Sequence, residues 1–297
     1  MITFKTLDIS DKGWVDRLFQ KSGYRGCEYS FAGTVLWAEV YRKTAAEVGG
    51  FVVVRSELGS PSYLFPAGEG DLHEVIGRLK AQSEEEGVPF VFYAVDDESR
   101  PKLEELYPGR FHYEELDDAR EYLYLSESLR TLAGKKLHAK RNHINRFLEQ
   151  NPDWSFEEIT KENIGECYEM NKDWCRLYGC DQNESLRQEA CAVDYAFEHF
   201  FALDFRGGLL RAGGRIVAYS MGERLTPDTF DVRIEKAYQD VQGAYALINR
   251  EFCRAFCKDV TYVNREDDTG AEGLRKAKLS YRPAIILKKY RATWLGD

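Results

Sequence analysis

The apolar positions of this chain change period many times: spacing of two gives way to spacing of three and four, then returns. Side chains alternate across a strand and recur every third and fourth place on a helix face, so the switches read as strands exchanging with helices. Residues 1–7 alternate through Ile2, Phe4 and Leu7 like a strand. Val15, Leu18 and Phe19 predict a helix over 11–21. Val35, Leu36, Ala38 and Val40 predict a second within 29–48, stopped by Gly49-Gly50. The β-branched run 51–54 predicts a strand, as do 63–65, 89–95, 111–113 and 122–125. Helices are expected over 71–85, on Val75, Ile76 and Leu79, and over 98–106.

From Trp154 the order repeats, with a strand at 154–159 and helices at 164–177 and 186–205. Two strands, 208–211 and 215–219, flank Gly213-Gly214, a hairpin signal. Residues 229–236 alternate, with Phe230, Val232 and Ile234 against Asp231, Arg233 and Glu235. A turn at 239–243 precedes a helix striped by Tyr245, Ile248, Phe252 and Phe256. The last unit runs from the strand at Tyr262-Val263 through a charged turn, Asn264 to Asp268. Thr269 with Glu272 has capping-box spacing for a helix. In that helix Leu274, Ala277, Lys278 and Tyr281 share one face. Pro283 stops it before a strand at 284–287. An inward lysine is costly unless paired, so Lys278 requires a partner.

Both halves thus read strand, two helices, two or three strands, helix, strand, helix, strand. The expectation is an α/β protein of two similar domains, 1–127 and 151–297, each a mixed sheet flanked by helices, joined by a connector at 128–150. Of 297 residues, 43% are hydrophobic and 13% aromatic, enough for two packed cores and against disorder. The net charge of −9 argues against general affinity for nucleic acid or an anionic membrane. The connector departs from that balance. Arg130, Lys135, Lys136, Lys140, Arg141 and Arg146 fall within 128–147 with no acidic residue among them. One reading is a basic helix snorkelling over the domain joint; the other is an anion site for the phosphate of a donor, tRNA or lipid. Seven irregularly spaced cysteines suggest reduced thiols in a cytoplasmic protein. Cys253 with Cys257, and Cys175 with Cys180, lack a histidine at zinc-like spacing and read as packing residues, so no metal is implied. No apolar run reaches membrane-span length, and MITFKTLDIS lacks a signal-peptide core.

Three stretches carry a resemblance: 132–147 (LAGKKLHAKRNHINRF), 233–252 (RIEKAYQDVQGAYALINREF) and 263–283 (VNREDDTGAEGLRKAKLSYRP). With SFAGTVLWAEVY at 30–41 and YLFPAGEGD at 63–71, they resemble the C-terminal catalytic domain family of phosphatidylglycerol lysyltransferase. The order of elements resembles two tandem GNAT acyltransferase domains of the Fem type. The resemblance implies acyl or aminoacyl transfer to an amine or hydroxyl on a small-molecule, peptide or lipid acceptor. The donor it implies is aminoacyl-tRNA or acyl-CoA. In GNAT enzymes the turn after the central strand reads Gln or Arg, two residues, Gly, one residue, Gly or Ala, and holds the coenzyme A pyrophosphate on backbone N–H groups. Here Gln242 stands at the expected glycine, followed by Gly243, and Asp240 would repel an anion. That weakens an acetyl-CoA donor and favours aminoacyl-tRNA, an acceptor-only role or an unusual coenzyme A contact.

Acyl transfer to an amine needs a base, a proton donor for the leaving group and oxyanion stabilisation. Asp231 and Glu235 lie on one strand face, and Glu235 is the first candidate base; pairing with Arg233 and Lys236 is the plainer reading for Asp231. Tyr281 is the candidate proton donor, against the common structural role of a buried tyrosine. Glu266 and Asp267 in the acidic turn are candidates for a substrate ammonium, and Asn264 for ligand contact at the carboxyl edge of the sheet. Lys140, Arg141, Arg233, Gln242, Gly243 and Lys278 complete the candidate donor-binding set. The chain also admits an acetyl-CoA N-acetyltransferase, or a non-catalytic module that binds tRNA or another phosphate-bearing partner.

Overall fold

Gly49 and Gly50 take φ of 57° and 87°, a region open to glycine at little cost. They turn strand β1 (Lys43–Val48) back along β2 (Phe51–Ser56) as an antiparallel hairpin. The helix expected across 29–48 is accordingly shorter. After α1 (Lys12–Ser22), the chain forms only α2 (Phe31–Val35) and α3 (Ala38–Tyr41) before entering β1. The computed structural model describes residues 1–296. They divide into two compact units, 1–121 with 267–271 and 286–297, and 122–266 with 272–285. The terminal segment lies with the first unit because its strand pairs there, a pairing that sequence order does not reveal. The units therefore differ from the contiguous spans 1–127 and 151–297.

The first unit is built on a mixed sheet. Besides β1 and β2 it holds β3 (Ser62–Leu64), β4 (Ala67–Gly68), β5 (Val91–Asp96), β6 (Phe111–Glu115) and the last strand of the chain, Lys289–Trp294. Only β3 and β5 run parallel. The last strand, absent from the sequence reading, lies between β5 and β6. Residues 1–7 make only an isolated bridge, Lys5 to Ala45. Helices α4 (Leu72–Glu85) and α5 (Arg100–Leu106) complete this unit. Asp71 caps α4 by accepting the Glu74 N–H at 3.0 Å.

The second unit opens with β7 (Glu121–Leu125), α6 (Ser126–Thr131), α7 (His138–Gln150) and β8 (Ser155–Glu158). Next come α8 (Ile164–Tyr178) and α9 (Glu184–Glu198), then β9 (Arg206–Ala212), β10 (Arg215–Thr226) and β11 (Thr229–Ala237). It ends with α10 (Ala244–Phe256), β12 (Tyr262–Asn264) and α11 (Glu272–Leu279), β13 (Ile285–Leu287) begins at its last residue, and the strand of the first unit is β14. The sheet order is β13-β7-β12-β11-β10-β9-β8. Strands β9, β10 and β11 are antiparallel, whereas β11 and β12 are parallel, joined by α10. Each unit is thus a mixed sheet flanked by helices, the expected fold class.

Two local expectations fail. Thr269 has φ of 49° and does not cap α11; the chain turns at Asp268, whose carboxylate accepts the Gly270 N–H at 3.0 Å. Cys175 and Cys180 form a disulfide, because Gly179 (φ 69°) ends α8 and folds their Cα atoms to 5.0 Å apart. The other five cysteines are free. Among the described residues no helix is long and apolar enough to cross a membrane.

Candidate functional site

Strand alternation sends Asp231, Arg233 and Glu235 to one face of β11, and two separate charge clusters form there. Arg233, almost fully buried, bridges Glu223 (2.8 Å), Asp231 (3.0 Å) and Glu266 (2.9 Å). Burying one guanidinium among three carboxylates rewards completeness: loss of the cation would strand the anions at about 3–5 kcal/mol. Asp231 and Arg233 therefore act as structural partners here, and Glu266 closes the same network from the loop after β12. Asn264 pairs alongside Asp231 in the sheet, and its Oδ1 accepts the Glu266 N–H at 2.8 Å. That bond makes a local turn, which holds Glu266 at φ 56°. Asn264 is fully buried and shapes the loop.

The second cluster surrounds Glu235. Arg265 donates from Nη2 to Glu235 Oε1 at 2.7 Å, and Asn249 Nδ2 reaches Oε2 at 3.3 Å. The guanidinium lies 4.9 Å from the Tyr281 ring centre and 5.8 Å from that of Tyr124. Lys140, half-buried on α7, sets its ammonium 4.0 Å over the Tyr281 ring. No carboxylate among the described residues lies within ion-pair distance of it. Burial first, and Arg265 second, pull its pKa down to about 8, against the opposing effect of Glu235. Burial pushes the Tyr281 phenol up, so it stays protonated at neutral pH. Lys278 finds its partner in the Arg265 carbonyl, at 2.6 Å, while its own carbonyl accepts the Tyr124 hydroxyl at 2.8 Å. These bonds fix the loop that carries Arg265.

Three polar atoms of this cluster are buried without a partner in the chain: Ser220 Oγ, Asn249 Oδ1 and Arg265 Nη1. Ser220 sits directly across from Glu235 in the β10–β11 register, so both side chains share a face. Buried polar groups are normally satisfied, and three around one carboxylate mark a place built to meet something else.

The structure therefore brings together Glu235, Tyr281 and Lys140, with Lys278 in support. It does not bring in the other candidates. Arg141 donates to the carbonyls of Leu132 and Gly134, clasping the turn before α7. Gln242 is exposed. Gly243 has φ 89°, and an added Cβ would run into the His143 carbonyl of α7, so that helix packs against the turn where a pyrophosphate cradle was sought. Asp267 belongs to the first unit. Arg265, Asn249, Ser220 and Tyr124 were not singled out from the sequence. Only Asn249 carried a signal, a polar residue one place from Ile248 on an inward helix stripe.

In the first unit, donor atoms of Cys27, Glu28 and Glu121 lie within 4.8 Å of one another. The buried Lys289 ammonium pairs with both glutamates there, so this cluster reads as an ion-paired lysine.

Residues 19–293 match the family described as phosphatidylglycerol lysyltransferase, C-terminal. The chain belongs to that family. A conserved protein of unknown function from Bacteroides thetaiotaomicron is 40% identical over 99% of this chain and all of its own, with a TM-score of 0.95. The C-terminal domain of a putative lysylphosphatidylglycerol synthetase from Agrobacterium fabrum superposes with a TM-score of 0.67. It covers 97% of this chain and 92% of its own at 14% identity, a likeness of fold. An uncharacterized protein of Mycoplasmoides gallisepticum is 26% identical over 57% of this chain. The chain spans about half, 54%, of that relative's length. The phosphatidylglycerol lysyltransferase C-terminal family supplies an acyltransferase-type fold. The donor and acceptor have to be argued from the cluster.

Proposed function

We propose that the second unit transfers an aminoacyl group from aminoacyl-tRNA to an amine acceptor at the Glu235 cluster. The observation that carries this reading is the grouping of Glu235, Arg265, Tyr281 and Lys140, each the type that acyl transfer to an amine requires. Arg265 holds Oε1 of Glu235, and Oε2, with one long bond to Asn249, takes the acceptor proton. The amine attacks the ester carbonyl. Negative charge that develops on its oxygen meets the unpaired Nη1 of Arg265. The ester C–O bond then breaks, and the Tyr281 phenol protonates the departing sugar oxygen. Transfer is complete when Glu235 returns its proton to tyrosinate through solvent.

Two observations favour charged tRNA over acyl-CoA. Helix α7 fills the space against Gly243, and the exposed Asp240 opposes a phosphate at the same turn. The exposed Lys135, Lys136 and Arg146 of the basic segment give an RNA phosphate something to meet. Incubation of the purified chain with lysyl-tRNA and a panel of amines should release tRNA and form the amide. Glu235→Gln should slow the reaction by about 100-fold or more, the usual share of a general base. Transfer from acetyl-CoA with none from charged tRNA would sink the donor assignment. Equal binding of charged and uncharged tRNA without transfer would make the chain a binding module.

A further inference from the structure

The Glu235 cluster also specifies what kind of acceptor fits it. Asn249 has spent its amide N–H on Glu235, and its free Oδ1 can only accept, so it asks for an N–H or O–H. Glu235 Oε2 is the carboxylate oxygen that Asn249 contacts. Ser220 Oγ, fully buried, adds a hydroxyl able to accept or donate. The Lys140 ammonium, a donor without a carboxylate partner among the described residues, is held over the Tyr281 face. Acceptor atoms and an ammonium thus belong to the one cluster around Glu235 and Tyr281.

The charges add a second constraint. Arg265 is answered by Glu235, and Lys278 rests on the Arg265 carbonyl, which leaves the Lys140 ammonium without a carboxylate among the described residues. A nucleophilic amine carried beside a carboxylate answers both the acceptor atoms and that ammonium. A plain amine would leave Lys140 unanswered. We infer that the acceptor is an α-amino acid: its amine lies against Asn249 Oδ1, Ser220 Oγ and Glu235, and its carboxylate meets Lys140. This rests on the transferase reading above and adds the acceptor class. The step forms an amide between the donor acyl carbon and the amino-acid nitrogen, breaks the ester C–O bond, and releases tRNA and an N-aminoacyl amino acid.

Thermal stabilisation of the full chain by glycine and L-alanine, beside ethylamine, acetate and phosphoethanolamine at equal concentration, tests this. Glycine and alanine should raise the Tm, and the single-function ligands should not. Lys140→Met should weaken the amino-acid shift by about 10-fold in apparent affinity while Lys140→Arg preserves it, the share of one charge-assisted hydrogen bond. Ser220→Ala, which keeps the fold's volume nearly intact, should weaken it too. Equal or larger shifts with phosphoethanolamine would make this a phosphate headgroup site and overturn the inference. Ethylamine or acetate matching glycine, or no shift with any ligand, would also overturn it. Aminoacyl transfer to ethylamine but not to glycine would sink the acceptor class and leave the transferase standing. Glycine binding without transfer from any donor would support the inference and sink the transferase.

Discussion

At the scale of single residues, Lys140 is the group whose environment does most to set its behaviour. Its ammonium is partly desolvated and shares its surroundings with Arg265, so the folded protein holds that proton less tightly than the unfolded chain does. Between about pH 8 and the ordinary lysine value of 10.5, the unfolded chain carries the extra proton. Stability gained from this group therefore rises with pH across that window and is lost as pH falls through about 8. Lys140→Met should be more stable than the parent at pH 7, and the gap should close towards pH 10.5. Urea unfolding at pH 7 and pH 10 checks it; a gap that ignores pH would mean that Lys140 is solvated and no strain is stored there. The same titration predicts that amino-acid binding weakens above about pH 8, where the cation is lost. Arg233 differs in its surroundings, since three carboxylates answer it.

At the scale of elements, the turn into α10 decides between two uses of one glycine. In a phosphate cradle, Gly243 would keep the backbone open to a ligand. In this structure α7 takes that space, and the His143 carbonyl and Phe147 side chain pack against it. Gly243→Ala should then lower stability by at least about 2 kcal/mol, combining positive-φ strain with a backbone clash. A variant that melts like the parent would reopen the turn as a cradle. Much of the site was legible at this scale. Alternation along 229–236 put Asp231, Arg233 and Glu235 on one face, and helical spacing aimed Lys278 and Tyr281 together. Neighbours were not legible, because Ser220 meets Glu235 only through the β10–β11 register. A β-bulge between Met221 and Gly222 shifts that register, and a one-residue slip sends every side chain to the other face. Arg265 was hidden for a different reason. A charged turn usually points to solvent, and this one turns inward because Glu235 offsets the cost of burial.

At the scale of the whole molecule, the division of the chain into halves follows its repeat of elements, yet the sheets exchange segments across it. Strand β14 comes from the end of the sequence and inserts between β5 and β6 in the first unit. Sequence periodicity missed it because Lys289 breaks the apolar run, and that lysine is buried only through Glu28 and Glu121. The insertion makes the first unit depend on the last residues. Ending the chain at 285 would remove the partner that β6 has among the described residues and turn β5 into an edge. It would also leave Glu121 buried without its cation, a cost of about 3–5 kcal/mol on its own. Hydrogen exchange should then show protection lost across Val91–Asp96, while Thr229–Ala237, paired wholly within the second unit, keeps its protection. Equal loss in both strands would mean that the two sheets unfold as one cooperative body. Retention in both would mean that β14 is an ornament on a sheet already complete. The paired, buried lysine argues against that second outcome, because a chain does not sink an ammonium beside two carboxylates at a strand it can spare.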